Sequence, residues 1–116
     1  MTNQEQYPIS QLIENLQAAN DDAIILVRRD VDEITHNSLA MVILFTTEEL
    51  DAQDWRSVIS KKAPGMEYFL EVDIAKEVLE VLEEWLERPP TLAQKIEAVI
   101  YYAQKDAYIP LEKLPT

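Results

Sequence analysis

The chain has 116 residues, of which 22 are acidic and 10 basic, so its net charge is −12 at pH 7. It contains no cysteine and one histidine, which excludes disulfides, thiolate catalysis and cysteine-based zinc sites. A surface this negative repels nucleic acid and anionic membranes and attracts basic protein surfaces, at rates that fall with salt.

The expected organisation is a single domain over residues 1–116, with a polar leader at 1–7 and a C-terminal tail at 110–116. The leader has neither the cationic region nor the apolar region of a secretion signal. No apolar run approaches the roughly 20 residues that span a bilayer. We therefore expect a cytoplasmic protein.

The first half of the chain predicts one helix and two strands. Apolar residues recur at helical spacing over 9–16, and 20–22 are expected to end that helix. Two apolar runs, 23–27 and 39–45, each predict a strand, joined as an antiparallel pair by the polar loop 30–38. Neither run alternates, so both faces of each strand are expected to be covered, by helices or by a second copy of the protein.

The middle of the chain predicts a helix and a third strand. Thr46 and Glu49 have the spacing of a capping box, and the helix that follows is expected to end at Pro64 and Gly65. Residues 66–72 alternate in polarity. This alternation predicts a strand with one apolar face, formed by Met66, Tyr68, Leu70 and Val72.

Two helices are predicted in the C-terminal third. Asp73 is expected to cap the first, which runs to Arg88 with Trp85 on its buried stripe. A second capping box at Thr91 opens the last helix, with Leu92 facing inward. The order α-β-β-α-β-α-α predicts an α+β domain with a small, mainly antiparallel three-stranded sheet packed with about four helices.

The first candidate binding surface is the polar side of the helix over 73–88. Its glutamates recur at three- and four-residue spacing, and only Lys76 and Arg88 relieve the charge. Like charges at that spacing destabilise an isolated helix. The pattern fits a docking surface for a basic partner or the solvated face of an acidic protein. The candidate contacts are Glu80, Glu83, Glu84 and Glu87.

A second acidic cluster lies in the loop between the first two strands. Asp30, Asp32, Glu33 and His36 offer ligands that suit Ca²⁺ or Mg²⁺. The spacing lacks the central glycine and the final glutamate of the calcium-loop motif. We therefore interpret Asp30, Asp32 and Glu33 as secondary contacts for a partner, and expect no metal and no cofactor.

Catalytic side chains are scarce. His36 lies in a polar loop, and a single glycine cannot form a glycine-rich phosphate loop. Asp106 is the one carboxylate with apolar neighbours that suit a raised pKa, but a capping or hydrogen-bonding role at a helix end is the favoured interpretation. We expect no enzyme. Aromatic side chains are also candidates to anchor a protein–protein interface, and here they are Trp55, Trp85, Tyr101, Tyr102 and Tyr108.

The segment 101–109, in which a Tyr-Tyr helix end runs into Asp-Ala-aromatic, resembles the tail of a family of small, uncharacterised bacterial proteins. In size, acidity, absence of cysteine and α+β order, the chain is also similar to bacterial immunity proteins. These include the partners of contact-dependent growth-inhibition toxins. The resemblance implies a protein that binds a toxin domain and blocks it.

The sequence therefore predicts an immunity or inhibitor-type protein that occludes the cationic surface of a basic toxin domain, with a nuclease as the favoured class. Nucleic acid and membranes are not expected as direct partners. Three alternatives stay open: a nucleic-acid mimic encoded by a phage or mobile element, a small carboxylate enzyme or metal-binding protein, and a structural adaptor that homo-oligomerises through its sheet.

Overall fold

The computed structural model describes residues 5–28, 33–51 and 53–115. Two short 3₁₀ helices, Leu16–Ala18 and Leu111–Lys113, accompany the main elements. The helices and strands, in chain order, are β1 (Tyr7–Pro8), α1 (Ile9–Glu14), β2 (Ile24–Arg28), β3 (Leu39–Ile43), α2 (Thr47–Leu50), α3 (Trp55–Lys62), β4 (Met66–Glu71), α4 (Val72–Leu86) and α5 (Leu92–Lys105).

The sheet has four antiparallel strands in the order β1-β3-β2-β4. The α+β class and the antiparallel pairing of β2 with β3 are confirmed. The prediction of three strands is wrong because β1 is a fourth, which includes Tyr7, the last residue of the expected leader. Two residues carry no periodic signal, and β1 exists only because Tyr7 pairs with Ala40 and the Ile9 amide donates to the Ser38 carbonyl at 2.8 Å.

Helices cover both faces of the sheet. On one face, α1, α4 and α5 pack against Ile25 and Val27 of β2. On the other face, α3 packs against Leu26 and Met41, with Ile59 at the centre of the contact. The uninterrupted apolar run of β2 is therefore buried on both sides, as predicted, and its burial requires no second copy of the chain.

Two predicted helices are shorter than expected. The first ends at Glu14 and gives way to a 3₁₀ turn, because Asn15 caps it and its side chain donates to the Gln11 carbonyl at 2.9 Å. The helix predicted after the second strand is two helices, α2 and α3, so there are five in all the described residues. Asp54 caps α3 by accepting from the Ser57 amide at 3.2 Å.

Both predicted capping boxes are confirmed. The Thr46 hydroxyl accepts from the Glu49 amide at 3.1 Å, and the Glu49 carboxylate accepts from the Thr46 amide at 2.7 Å. Thr91 and Gln94 make the same reciprocal pair at 3.1 and 2.9 Å. These bonds satisfy amides that an N-terminal helical turn leaves free.

The alternation predicted for β4 is wrong. Tyr68 is 48% exposed, whereas Phe69 and Leu70 are both buried. The register of β4 on β2 shifts at this point, so that the residue after Tyr68 is left without an opposite partner. Such a bulge re-aims the side chains that follow it. Val72, the expected end of the strand, is the first residue of α4.

The ends of α4 also differ from the prediction. Glu71 is its N-cap rather than Asp73, and the helix stops at Leu86, because the next residue is in the left-handed conformation. Trp85 is 47% exposed instead of packed in the core. The buried stripe consists of Val72, Ala75, Val78, Leu79 and Leu82. Leu92, the first residue of α5, is also exposed rather than inward-facing.

The C-terminal tail folds back along α5. The Gln94 side chain donates to the Pro115 carbonyl at 3.0 Å, and the Lys113 ammonium lies 5.6 Å from the centre of the Tyr101 ring. These contacts tie the tail to both ends of the last helix. Among the described residues, no helix is both long and apolar enough to cross a membrane.

Candidate functional site

Negative charge is concentrated in one stretch of the chain. Residues 67–87 contain eight acidic side chains and one lysine, a local charge of −7 out of the total of −12. Because α4 begins at the residue that follows β4, no loop separates these carboxylates. We call the exposed carboxylate side of α4, formed by Glu77, Glu80, Glu83, Glu84 and Glu87, the α4 acidic face.

Lys76, the one cation of this stretch, is bound elsewhere. Its ammonium donates to the Ala19 carbonyl at 2.9 Å and to the Asp21 carboxylate at 2.5 Å. These bonds tie α4 to the turn after α1. The lysine is therefore not available to neutralise the glutamates of its own helix.

The structure brings the four predicted glutamates together. Glu80, Glu83, Glu84 and Glu87 are all exposed and line one open depression of about 560 Å³, together with Arg88 and Pro89. Within residues 5–28, 33–51 and 53–115, none of the four forms a salt bridge, and neither does Arg88. The four carboxylates thus face solvent and outnumber the single cation that lines the depression, with which they form no ion pair.

The end of α4 shapes this depression. Glu87 has a left-handed backbone, with φ of 56°, and its amide donates to the Glu83 carbonyl at 2.9 Å. Pro89 and Pro90 follow, and the helix cannot continue through them. The chain therefore turns directly after the last glutamate, and Pro89 forms part of the wall.

The loop cluster lies only in part within the described residues. Asp30 and Asp32 lie outside the described residues, and Glu33 is exposed and does not line the α4 depression. His36 lies 3.0 Å from the Glu97 carboxylate of α5, and its carbonyl accepts from the Ser10 amide at 3.1 Å. In the part of the loop that the structure describes, His36 serves to attach the loop to α1 and α5.

Asp106 and the carboxylate clusters are the remaining chemical candidates. Asp106 is exposed rather than enclosed in an apolar pocket; it is the left-handed C-cap of α5, with φ of 53°, which agrees with its favoured interpretation as a helix-end residue. In the described ranges, no three His, Asp or Glu residues are placed to hold a metal. A groove of about 450 Å³ between α3 and β4 contains one cation, Arg56, and one acid, Glu67.

An aromatic cluster borders the α4 acidic face, and the sequence reading did not place it there. The Trp85 and Tyr108 rings meet edge to face at 5.6 Å, and Tyr102 lies 5.3 Å from Tyr108. The Tyr108 hydroxyl donates to the Glu77 carboxylate at 3.4 Å. Burial, followed by the charge of Glu77, raises the pKa of Tyr108. One sequence feature could have indicated that Trp85 is exposed: it lies in the last helical turn before two prolines.

All of these features lie in the part of the chain that matches a protein-family model. A family model described as Domain of unknown function (DUF7716) matches residues 6–111. The chain belongs to this family. The match includes every α-helix and β-strand of the described fold and the whole α4 acidic face. No curated protein and no solved structure matches the chain.

Proposed function

We propose that this member of the DUF7716 family is an immunity or inhibitor-type binding protein that occludes the cationic surface of a basic toxin domain. The favoured toxin class is a nuclease, because a nuclease must present cations to the phosphates of its substrate. The cytoplasmic location and the absence of an enzymatic role belong to the same proposal. The observation that carries it is the exposed excess of negative charge on the α4 acidic face, whose glutamates form no salt bridge within the described residues.

Repulsion between the glutamates of the α4 acidic face lowers the stability of the protein when no partner is bound. Glu80 and Glu84, and likewise Glu83 and Glu87, are like-charge pairs one helical turn apart, and each such pair costs about 0.2–0.5 kcal/mol. The single lysine nearby is held by Asp21. A cationic partner would convert this repulsion into charge-assisted hydrogen bonds, which are stronger than neutral ones.

A rigid helix suits this task. The carboxylates project from α4, whose opposite side is buried against the sheet, so the spacing between them is set before binding. Complementary charge of this kind accelerates association and gives the rate its dependence on salt. The open depression fits a protein surface better than an enclosed small-molecule pocket.

The test begins with the neighbouring genes, where the proposal predicts a secreted protein with a basic C-terminal domain. The association rate of the protein with that domain is then measured from low to high salt. The variant reverses the four glutamates, as Glu80→Lys, Glu83→Lys, Glu84→Lys and Glu87→Lys. We expect association to slow by about tenfold or more at low salt, with a weaker dependence on salt.

The matched control reverses four other exposed acids, as Glu14→Lys, Asp22→Lys, Glu48→Lys and Asp51→Lys, which changes the net charge equally. Equal slowing by the two variants would show that total charge, and not the α4 acidic face, governs association. Duplex DNA is added as a competitor. If the partner is a host DNA-binding protein and duplex DNA displaces this chain from it, the nucleic-acid mimic replaces the toxin proposal.

A further inference from the structure

No strand in the part of the chain that the structure describes pairs with the outer edge of β4, which lies at one end of the sheet beside β2. The Met66 amide donates to the Ala63 carbonyl at 3.1 Å rather than to β2. Backbone groups in an antiparallel pair point alternately towards and away from the partner strand, so Tyr68, two residues on, also directs its N–H and C=O outward. The edge therefore offers a donor and an acceptor to one further strand.

A groove of about 450 Å³ runs along this edge. Its lining consists of three consecutive residues of β4, Met66, Glu67 and Tyr68, and of Trp55, Arg56 and Ile59 from α3. Consecutive strand residues point to opposite faces of a sheet, so a space that contacts all three lies beside the strand and not over one face. A groove between a helix and a strand edge accepts an extended peptide as an added strand.

The walls of the groove suit an apolar side chain. Ile59 and Met66 are buried beneath it, and the Trp55 ring is held edge to face against Phe45 at 5.4 Å. Tyr68 pairs with Leu26, which faces α3, so the two lie on the same face of the sheet. A residue of an added strand that lies opposite Tyr68 places its side chain on that face as well, and therefore in the groove.

The charges on the two faces of β4 differ. Glu67 pairs with Val27, which belongs to the layer of α1, α4 and α5, so the Glu67 side chain projects from the face away from α3. On the α3 side, Arg56 is the only cation among the described residues that line the groove. A basic side chain on an added strand is therefore attracted to Glu67 and is repelled from the groove by Arg56.

A second copy of the chain is a poor occupant of this edge. Antiparallel pairing of residues 66–68 with the same residues of another copy sets Glu67 opposite Glu67. Like charges directly opposite each other destabilise a pair of strands. The net charge of −12 on each copy adds to this repulsion. A basic segment of another protein has neither disadvantage.

We propose that the groove between α3 and β4 binds an extended segment of another protein, in which an apolar residue is flanked by basic residues. The apolar residue lies opposite Tyr68, exchanges backbone hydrogen bonds with it and inserts its side chain over Ile59 and Met66. A basic neighbour lies opposite Glu67. This inference goes beyond the proposed function, because the groove shares no lining residue with the depression of the α4 acidic face.

The test compares two capped peptides of equal length and composition by fluorescence polarisation. The first alternates lysine with apolar residues and has leucine at its centre. The second contains the same residues in an order that does not alternate. We expect the alternating peptide to bind about tenfold more tightly, because only its strand has one apolar and one basic face. Equal binding of the two peptides overturns the inference.

N-methylation of the alternating peptide tests backbone pairing on the parent protein, so that the result does not depend on the folding of a variant. Methylation of the apolar residues removes the amide that donates to the Tyr68 carbonyl, and should weaken binding by about tenfold or more. Methylation of an equal number of lysines, whose amides point away from β4, should change binding less than about twofold. Equal effects would show that the peptide does not add as a strand.

Side-chain variants then test the groove itself. Tyr68→Ala should weaken the alternating peptide by about tenfold. Its control is Trp85→Ala, which removes an aromatic ring of nearly the same exposure, 47% against 48%, outside the groove. Glu67→Lys should weaken binding more than Glu14→Lys, which changes the net charge equally. Circular dichroism checks that each variant is folded, and equal losses in a folded variant and its control contradict the inference.

The variant with the four α4 glutamates reversed separates this inference from the proposed function. It should still prefer the alternating peptide to the other one, and loss of that preference would assign the peptide to the α4 acidic face. If neither peptide binds the parent protein, the inference fails, whereas the proposed function is tested separately with the toxin domain. Sedimentation of the protein alone should show a monomer. A dimer that the alternating peptide dissociates would make a second copy the occupant of the edge.

Discussion

Individual carboxylates in this protein have different roles, and the role of Glu49 is to stabilise the fold. Its side chain closes the capping box of α2 and accepts from the Lys62 ammonium at 2.7 Å. The hydrogen bond from Lys62, followed by that from the Thr46 amide, lowers the pKa of Glu49. By contrast, Glu80 and Glu84 have exposed carboxylates that form no salt bridge within the described structure.

The lowered pKa of Glu49 predicts a specific pH dependence. Since this pKa is lower in the folded chain than its ordinary value of 4.5, the ionised group stabilises the fold above that pH. The contribution is lost as the pH falls through the lower, folded value. We expect Glu49→Gln to reduce the free energy of unfolding near neutral pH and to approach the parent protein as the pH falls well below 4.5.

Urea denaturation at a series of pH values measures this difference. Glu48→Gln is the control, because Glu48 is the exposed neighbour in the same helical turn, outside the capping box and without a salt bridge to the described residues. A difference between Glu49→Gln and the parent protein that does not change with pH would contradict the assignment.

At the scale of elements, β2 organises the fold because it is buried on both faces. Ile25 and Val27 face the layer of α1, α4 and α5, while Leu26 faces α3. The two small hydrophobic cores therefore meet at a single strand. Neither core is complete without the side chains that β2 supplies.

Truncation of the central strand should consequently be costly. Leu26 has no exposed surface, so Leu26→Ala leaves a cavity between the sheet and α3. We expect a loss of about 3 kcal/mol in the free energy of unfolding. The control is Leu111→Ala in the exposed C-terminal 3₁₀ helix, for which a loss below about 1 kcal/mol is expected. Equal losses in chemical denaturation would show that α3 does not pack as described.

Across the whole molecule, the distribution of charge matters more than its total. The longest dimension is 41 Å, several times the Debye length of about 10 Å at 0.1 M salt. A partner at one end is therefore influenced mainly by the surface that it approaches. The local charge of −7 over residues 67–87 makes α4 the side from which a cationic protein is attracted.

The same charge predicts that the protein becomes more stable as sodium chloride is added. Screening weakens the repulsion along α4 more than it weakens partly exposed pairs such as Lys62–Glu49. We expect Tm to rise by a few degrees between low and about 0.5 M salt. The rise should be smaller in the variant with all four glutamates replaced by glutamine. A Tm that falls with salt would show that ion pairs outweigh the repulsion.

Much of the fold and part of the candidate site are readable from local chemistry. Thr46 and Thr91 begin helices because their hydroxyls and the glutamate or glutamine three residues on satisfy free amides. The apolar runs of β2 and β3 predict buried strands. The glutamates at 80, 83, 84 and 87 share a helical face because of the 3.6-residue period. Each of these features depends only on residues that are close to one another in the sequence.

Only the tertiary structure decided the rest, because those features depend on partners far along the chain. β1 needs the edge of β3, the bulge in β4 depends on its register against β2, and Lys76 is drawn from its own helix by Asp21. The position of Trp85 depends on Tyr108, which folds back against α4. The sequence by itself determined that the protein is acidic and where its charges lie. Packing decided that the glutamates at the end of α4 stay exposed and without ion pairs, on the same helix as an exposed indole.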